Sequence, residues 1–175
     1  MSDSWWESIE GELLAQGDLL LDCCLPIFVD PTPQEGEAEE QDIDVVSQNL
    51  IVVTQSCDLQ NKKVEFVALC PIHTLKEFAE SNPHYKITKN WESVRRGQVH
   101  SLHMIGSPDA SEDNIDSLVI DFGQIVSLPI DYLCDHAASL GQRWRLNSPF
   151  LEHFSQAFAR FFMRVGLPSG IARFK

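Results

Sequence analysis

Near the end of this 175-residue chain, phenylalanine recurs at helical spacing, and that pattern limits what the rest can be. Phe150, Phe154, Phe158, Phe161, Phe162 and Val165 share one wide side of a helix, while Glu152, Gln156, Arg160 and Arg164 lie mostly elsewhere. Ser148 is placed to cap the helix, Pro149 fits its first position, and Gly166 followed by Pro168 stops it. The spacing predicts a C-terminal amphipathic helix over 149–165. Its apolar side needs a dry surface, either a sheet of the same chain or a partner's interface. Arg160 and Arg164 sit where cations complement the helix dipole, so they need no ligand.

Short apolar runs supply a sheet. Residues 17–28 open at a turn glycine and predict a strand that Pro26 interrupts. LIVVT at 50–54 is continuous and β-branched, so it reads as a central strand covered on both faces. A second strand follows at 64–70. Thr74 with Glu77 three residues later forms a capping box for a short helix that buries Leu75, Phe78 and Ala79. Further on, 91–96 makes a helical turn and 99–105 a strand. SLVIDF and QIVSLP read as strands paired about a Gly123 turn. A helix follows at 130–140, ended by Gly141, and QRWRL is a last strand with Arg143 and Arg145 on one face and Trp144 on the other.

With 43% hydrophobic and 22% charged residues, the chain has the usage of one globular domain spanning 1–175. It contains no internal repeat and no apolar run near the roughly 18 residues a membrane span needs. The acidic start lacks the basic residues of a secretory signal, and five scattered cysteines suit reduced thiols, so a cytoplasmic location is expected. The net charge of −13 is uneven: residues 1–50 hold 13 Asp and Glu and no Lys or Arg. An N-terminal extension (1–16) and an acidic loop (31–44) carry most of that charge. Basic residues gather later, among them Lys86, Lys89, Arg95, Arg96, Arg143, Arg145 and Arg160, so a local cationic face can survive, while overall attraction to nucleic acid is weak and salt-sensitive.

Three pieces, taken in order, resemble the MazF/PemK family of small toxin endoribonucleases: GDLLL at 17–21, NLIVVTQSCDLQNKKVEFVALCPIHT at 49–74, and SLVIDFGQIVSLPIDYL at 117–133. The match runs from about Gly17 to Leu167, with the acidic loop and 81–98 as insertions. The resemblance implies an α+β fold: an SH3-like curled antiparallel β-barrel with a C-terminal amphipathic helix and short helices in the connections. Dimerisation through the barrel rim is implied in the same way. The family's Arg-Pro pair entering the first central strand falls on Asn49 and Leu50, so its arginine is missing, and its hydroxyl position falls near His73 or Thr74. The resemblance therefore implies a non-catalytic or strongly diverged member that acts as a protein-binding or regulatory component of a bacterial toxin–antitoxin or phage-defence system. The alternative is a metal-independent endoribonuclease in which Arg95, Arg96, Arg143 or Arg145 supplies the missing cation.

Other chemistry is open to these residues. Cys57 beside Asp58 follows the central strand, where a thiol could serve a hydrolase if His73, His100 or His103 lay near, with His103 preferred; otherwise Cys57 fills space and Asp58 caps a turn. Cys57, Cys70, His73, His100 and His103 lack the spacing of a zinc finger, and in a strand over 99–105 His100 and His103 would face opposite sides, so no metal or other cofactor is expected. No phosphate-binding glycine loop, nucleophile elbow or dinucleotide fingerprint occurs. Trp5 and Trp6, in an otherwise polar start, are expected to dock on the domain or on another protein.

Overall fold

The computed structural model describes residues 4–28, 43–108 and 117–163. Its strands are β1 (Trp6–Ile9), β2 (Asp18–Phe28), β3 (Ile43–Val52), β4 (Phe66–Thr74), β5 (Leu102–Ile105), β6 (Leu118–Asp121), β7 (Val126–Pro129) and β8 (Arg143–Leu146). Helices α1 (Ser56–Gln60), α2 (Leu75–Ser81), α3 (Thr88–Arg95), α4 (Ile130–Leu140) and α5 (Phe150–Phe162) lie between or after them, with a short 3-10 helix at Pro83–Lys86. The class is α+β, with an eight-stranded antiparallel sheet in the order β1-β8-β2-β3-β4-β6-β5 and β7 paired beside β6 on β4. Among the described residues the ladder does not close into a barrel, because β1 and β5 are not paired. The indole of Trp6 nevertheless donates to the Gly106 carbonyl at 2.7 Å, so side chains bring the two ends of the sheet together.

Alternation along β3 and β4 explains the layers. Leu50, Val52, Val67 and Leu69 face one way and pack with Leu133 and Ala137 of α4. Ile51, Val53, Cys70 and Ile72 face the other way and pack with Phe122 and with Phe154 of α5. Both faces are covered, as the continuous apolar run requires, and Leu50, Ile51 and Val52 have no exposed surface. The phenylalanine stripe docks on the sheet in part: Phe154 is fully buried and Phe150, Phe158 and Phe161 pack around it, but Phe162, expected on the same side, is exposed near the helix end, edge-on to Phe158 and Phe161. A third cluster, Phe78, Trp91, Val94, Leu102 and Val119, holds α2 and α3 against β5 and β6.

Several elements differ from the sequence reading. Pro26 does not interrupt β2, which continues to Phe28 with Pro26 opposite Val45. Two residues earlier, the Cys24 amide points away from β3 and donates to the Tyr132 hydroxyl at 2.8 Å, so an amide at Pro26 would face the same unladdered side and its absence loses no ladder bond. SLVIDF and QIVSLP do not pair with each other: β6 pairs with Ile72–Thr74 and β7 with Phe66–Leu69, so the two follow one another along β4. The strand expected at 99–105 begins only at Leu102. Helix α5 begins at Phe150 with Pro149 at the cap position, and no side chain caps it, Ser148 included. The 1–16 extension contains a strand, β1, paired along β8. Of the acidic loop at 31–44, residues 31–42 lie outside the described residues, as do Val165, Gly166 and Pro168, while Ile43 and Asp44 already belong to β3.

Candidate functional site

The positions that the toxin resemblance points to are occupied by structural tasks. Asn49 accepts a hydrogen bond from the Asp22 amide at 3.0 Å, steadying an irregularity in the β2–β3 pairing where Asp22 takes φ 53°. Thr74 caps α2: its hydroxyl accepts from the Glu77 amide, while the Glu77 carboxylate accepts from the Thr74 amide at 2.9 Å. These bonds hold the Glu77 carboxyl below its ordinary range. His73 is half-buried against Phe78, and burial lowers its pKa against the opposing pull of Glu77 and Asp121.

Arg143 and Arg145 share a face, and both turn inward to Asp18. Asp18 is fully buried and Arg143 nearly so. Arg143 Nη2 lies 3.3 Å from Asp18 Oδ2, Arg145 Nη2 donates to the same oxygen at 3.0 Å and Arg145 Nε to Oδ1, and the Ala15 amide donates to Oδ2 at 3.1 Å. The guanidinium of Arg143 also donates to the carbonyls of Gly11 and Leu13. The two arginines thus fasten the chain after β1 to β2 and β8.

Cys57 is exposed at the start of α1, and its thiol lies near Gln55 and Asp58; among the described residues it shares no hydrogen bond with a histidine. Asp58 pairs with Lys63 at 3.4 Å. Cys70 is buried within the sheet and pushed up to about 12, first by burial and then by Asp121. Among the described residues no group of three or more His, Cys, Asp or Glu is arranged to hold a metal. No helix among them is long and apolar enough to cross a membrane.

Two cavities adjoin, sharing Arg95 and Met104 in their walls. The larger, about 710 Å³, lies between α2, α3 and the end of β5, with Trp5, Tyr85, Trp91, Met104 and Ile105 in its walls and Lys76, Lys86 and Arg95 among its polar groups. Phe78 packs edge-on against both Tyr85 and Trp91, at 5.4 and 5.8 Å between ring centres, and so fixes their placement. Trp5 stacks on Phe150 at 3.7 Å and lines the cavity, whereas Trp6 is buried; the tryptophan pair divides between groove and core. The smaller cavity, about 290 Å³, gathers Arg95, Arg96, His100, His103, His153 and Arg160. His100 and His103 therefore share a site, contrary to the alternation argument, because His100 precedes β5 in a turn.

His103 stacks on Phe122 at 6.0 Å, and its Nε2 is buried without a hydrogen-bond partner among the described residues. Burial, with the nearby His153 and Arg160, lowers its pKa to about 4. Arg95 and Arg96 both bind the Glu92 carboxylate, at 2.7 Å each, which holds that carboxyl at about 2. His153, Arg160 and the aromatic groove were not singled out as a site from sequence. Their only sequence signal was aromatic residues lying near basic ones in 84–104 and along α5. No protein-family model matches the chain, and no curated protein matches it.

Proposed function

We propose that this chain is a non-catalytic, protein-binding component, a strongly diverged relative of the MazF/PemK barrels serving a bacterial toxin–antitoxin or phage-defence system, and that a partner segment docks in the 710 Å³ groove. The observation that carries the reading is that groove, an apolar, aromatic-walled cavity open beside a cationic rim. The rim chemistry selects an acidic segment anchored by aromatic or large aliphatic side chains, since Lys76, Lys86 and Arg95 outnumber Glu92 there. Loss of catalysis is supported by the tasks that hold Asn49, Thr74, Arg143 and Arg145 in place.

A peptide-display selection on the purified chain tests it. Enriched peptides should carry Asp or Glu around an aromatic or leucine anchor, and Met104→Glu should weaken them at least tenfold while the protein still folds. Enrichment without that pattern, or affinity indifferent to Met104→Glu, would remove the reading. The ribonuclease alternative draws on the adjoining cavities: Arg95 and Met104 border both, setting aromatic faces next to guanidinium groups as in single-strand binding sites. Metal-free cleavage of single-stranded RNA that Arg96→Gln abolishes would favour it.

A further inference from the structure

We infer that the 290 Å³ cleft between α3, the start of β5 and α5 is a site for a phosphate dianion, either free or carried as a monoester. Arg95, Arg96, His100, His103, His153 and Arg160 all line it, and no Asp or Glu does among the described residues. Charge is left over there. Glu92 answers two guanidinium groups with one carboxylate, and Arg160 donates to the Gln156 carbonyl at 3.3 Å but has no carboxylate partner among the described residues. Among the described residues two positive charges therefore remain, matching a phosphate monoester, which carries between one and a half and two negative charges near neutrality.

The donor set also fits. Guanidinium groups present paired N–H donors to tetrahedral oxyanions, and imidazoles add single donors from other directions. His103 brings a buried ring nitrogen with no partner, and such a group in a polar cleft calls for a ligand or a water. The cleft is small, and the chain's net charge of −13 repels a long polyanion, so an isolated phosphate suits it better than a strand of phosphodiesters.

Calorimetric titration of the full chain with inorganic phosphate, chloride being adjusted to hold ionic strength constant, tests the assignment. Saturable one-to-one binding is expected, weakened at least tenfold by Arg160→Gln and by His153→Gln, two exposed substitutions on α5 that leave the core alone. Lys89→Gln, exposed on α3 but lining neither cavity, should leave it unchanged. A phosphoserine peptide run in parallel identifies the source: tighter binding of the peptide points to a phosphorylated side chain, tighter binding of inorganic phosphate to a free ion, and either supports the site. Non-saturable heat, or full affinity in both α5 variants, overturns it. So does dimethyl phosphate or a short RNA strand that binds as tightly as inorganic phosphate.

Discussion

Asp18 is fully buried, and the guanidinium groups of Arg143 and Arg145 keep it tolerable there. Removing one partner of such a cluster strands the others, so Asp18→Ala should destabilise the protein by about 3–5 kcal/mol in urea unfolding, far more than Asp58→Ala at the exposed Lys63 pair. His103 makes a second, pH-dependent demand. Its pKa falls from 6.5 to about 4 on folding, so the unfolded chain takes up the proton first. The stabilisation is complete above pH 6.5 and is lost as pH falls from there towards 4, a change of roughly 3 kcal/mol. His103→Phe keeps the stack on Phe122, removes the unpartnered nitrogen and should flatten melting temperature against pH between 7 and 4.5. A wild-type slope in that variant would assign the pH sensitivity elsewhere. Asp18 stood beside Gly17 as a family-like pair, but its link to Arg143 and Arg145 spans 125 and 127 residues, and no local pattern encodes it.

Among the elements, α2 and α5 were legible because their signals are local. The Thr74–Glu77 capping box is where the spacing puts it, and Thr74→Ala should cost about 1 kcal/mol of stability. An equal loss in peptide or RNA assays at a temperature where both proteins are folded would instead give Thr74 a role in the site. The stripe on α5 marked a side, not a residue: Phe154 and Phe162 were both expected on it, yet only Phe154 is fully buried, so Phe154→Ala should cost about 3–5 kcal/mol, measured by the same unfolding, whereas Phe162→Ala should cost far less. Where pairing is at stake, local reading fails. β6 and β7 look like the arms of a hairpin, yet each finds its partner in a different half of β4, because β4 is long enough to offer both. His100 joins His103 for a related reason: the backbone turns at 99–101, so the period-two rule has no strand to act on.

At the scale of the whole molecule, the two ends of the sheet meet through side chains instead of a ladder, and this was not readable from alternation or charge. Trp6 is hydrogen-bonded to the Gly106 carbonyl, and Trp5 lies so close that a Cβ at Gly106 would sit 2.7 Å from its Cδ1 and 2.8 Å from its Nε1. Tryptophans at the start of the chain thus cover the last strand of the path, and only a glycine leaves room. The same ring walls the groove and stacks on Phe150, so the contact couples the joining of the sheet, the seating of α5 and the shape of the proposed docking site. Gly106→Ala should displace Trp5, because the ring itself would have to move by several tenths of an ångström or more. The expected result is a loss of about 1–3 kcal/mol in stability, a red shift of tryptophan emission and weaker binding of any peptide selected on the groove. Phosphate binding in the smaller cleft should survive, since neither Trp5 nor Gly106 lines it. If Gly106→Ala melts and fluoresces like the unaltered chain, the sheet ends are held by something other than the tryptophan pair. Loss of both ligands together would instead show that the two cavities rise and fall with the fold.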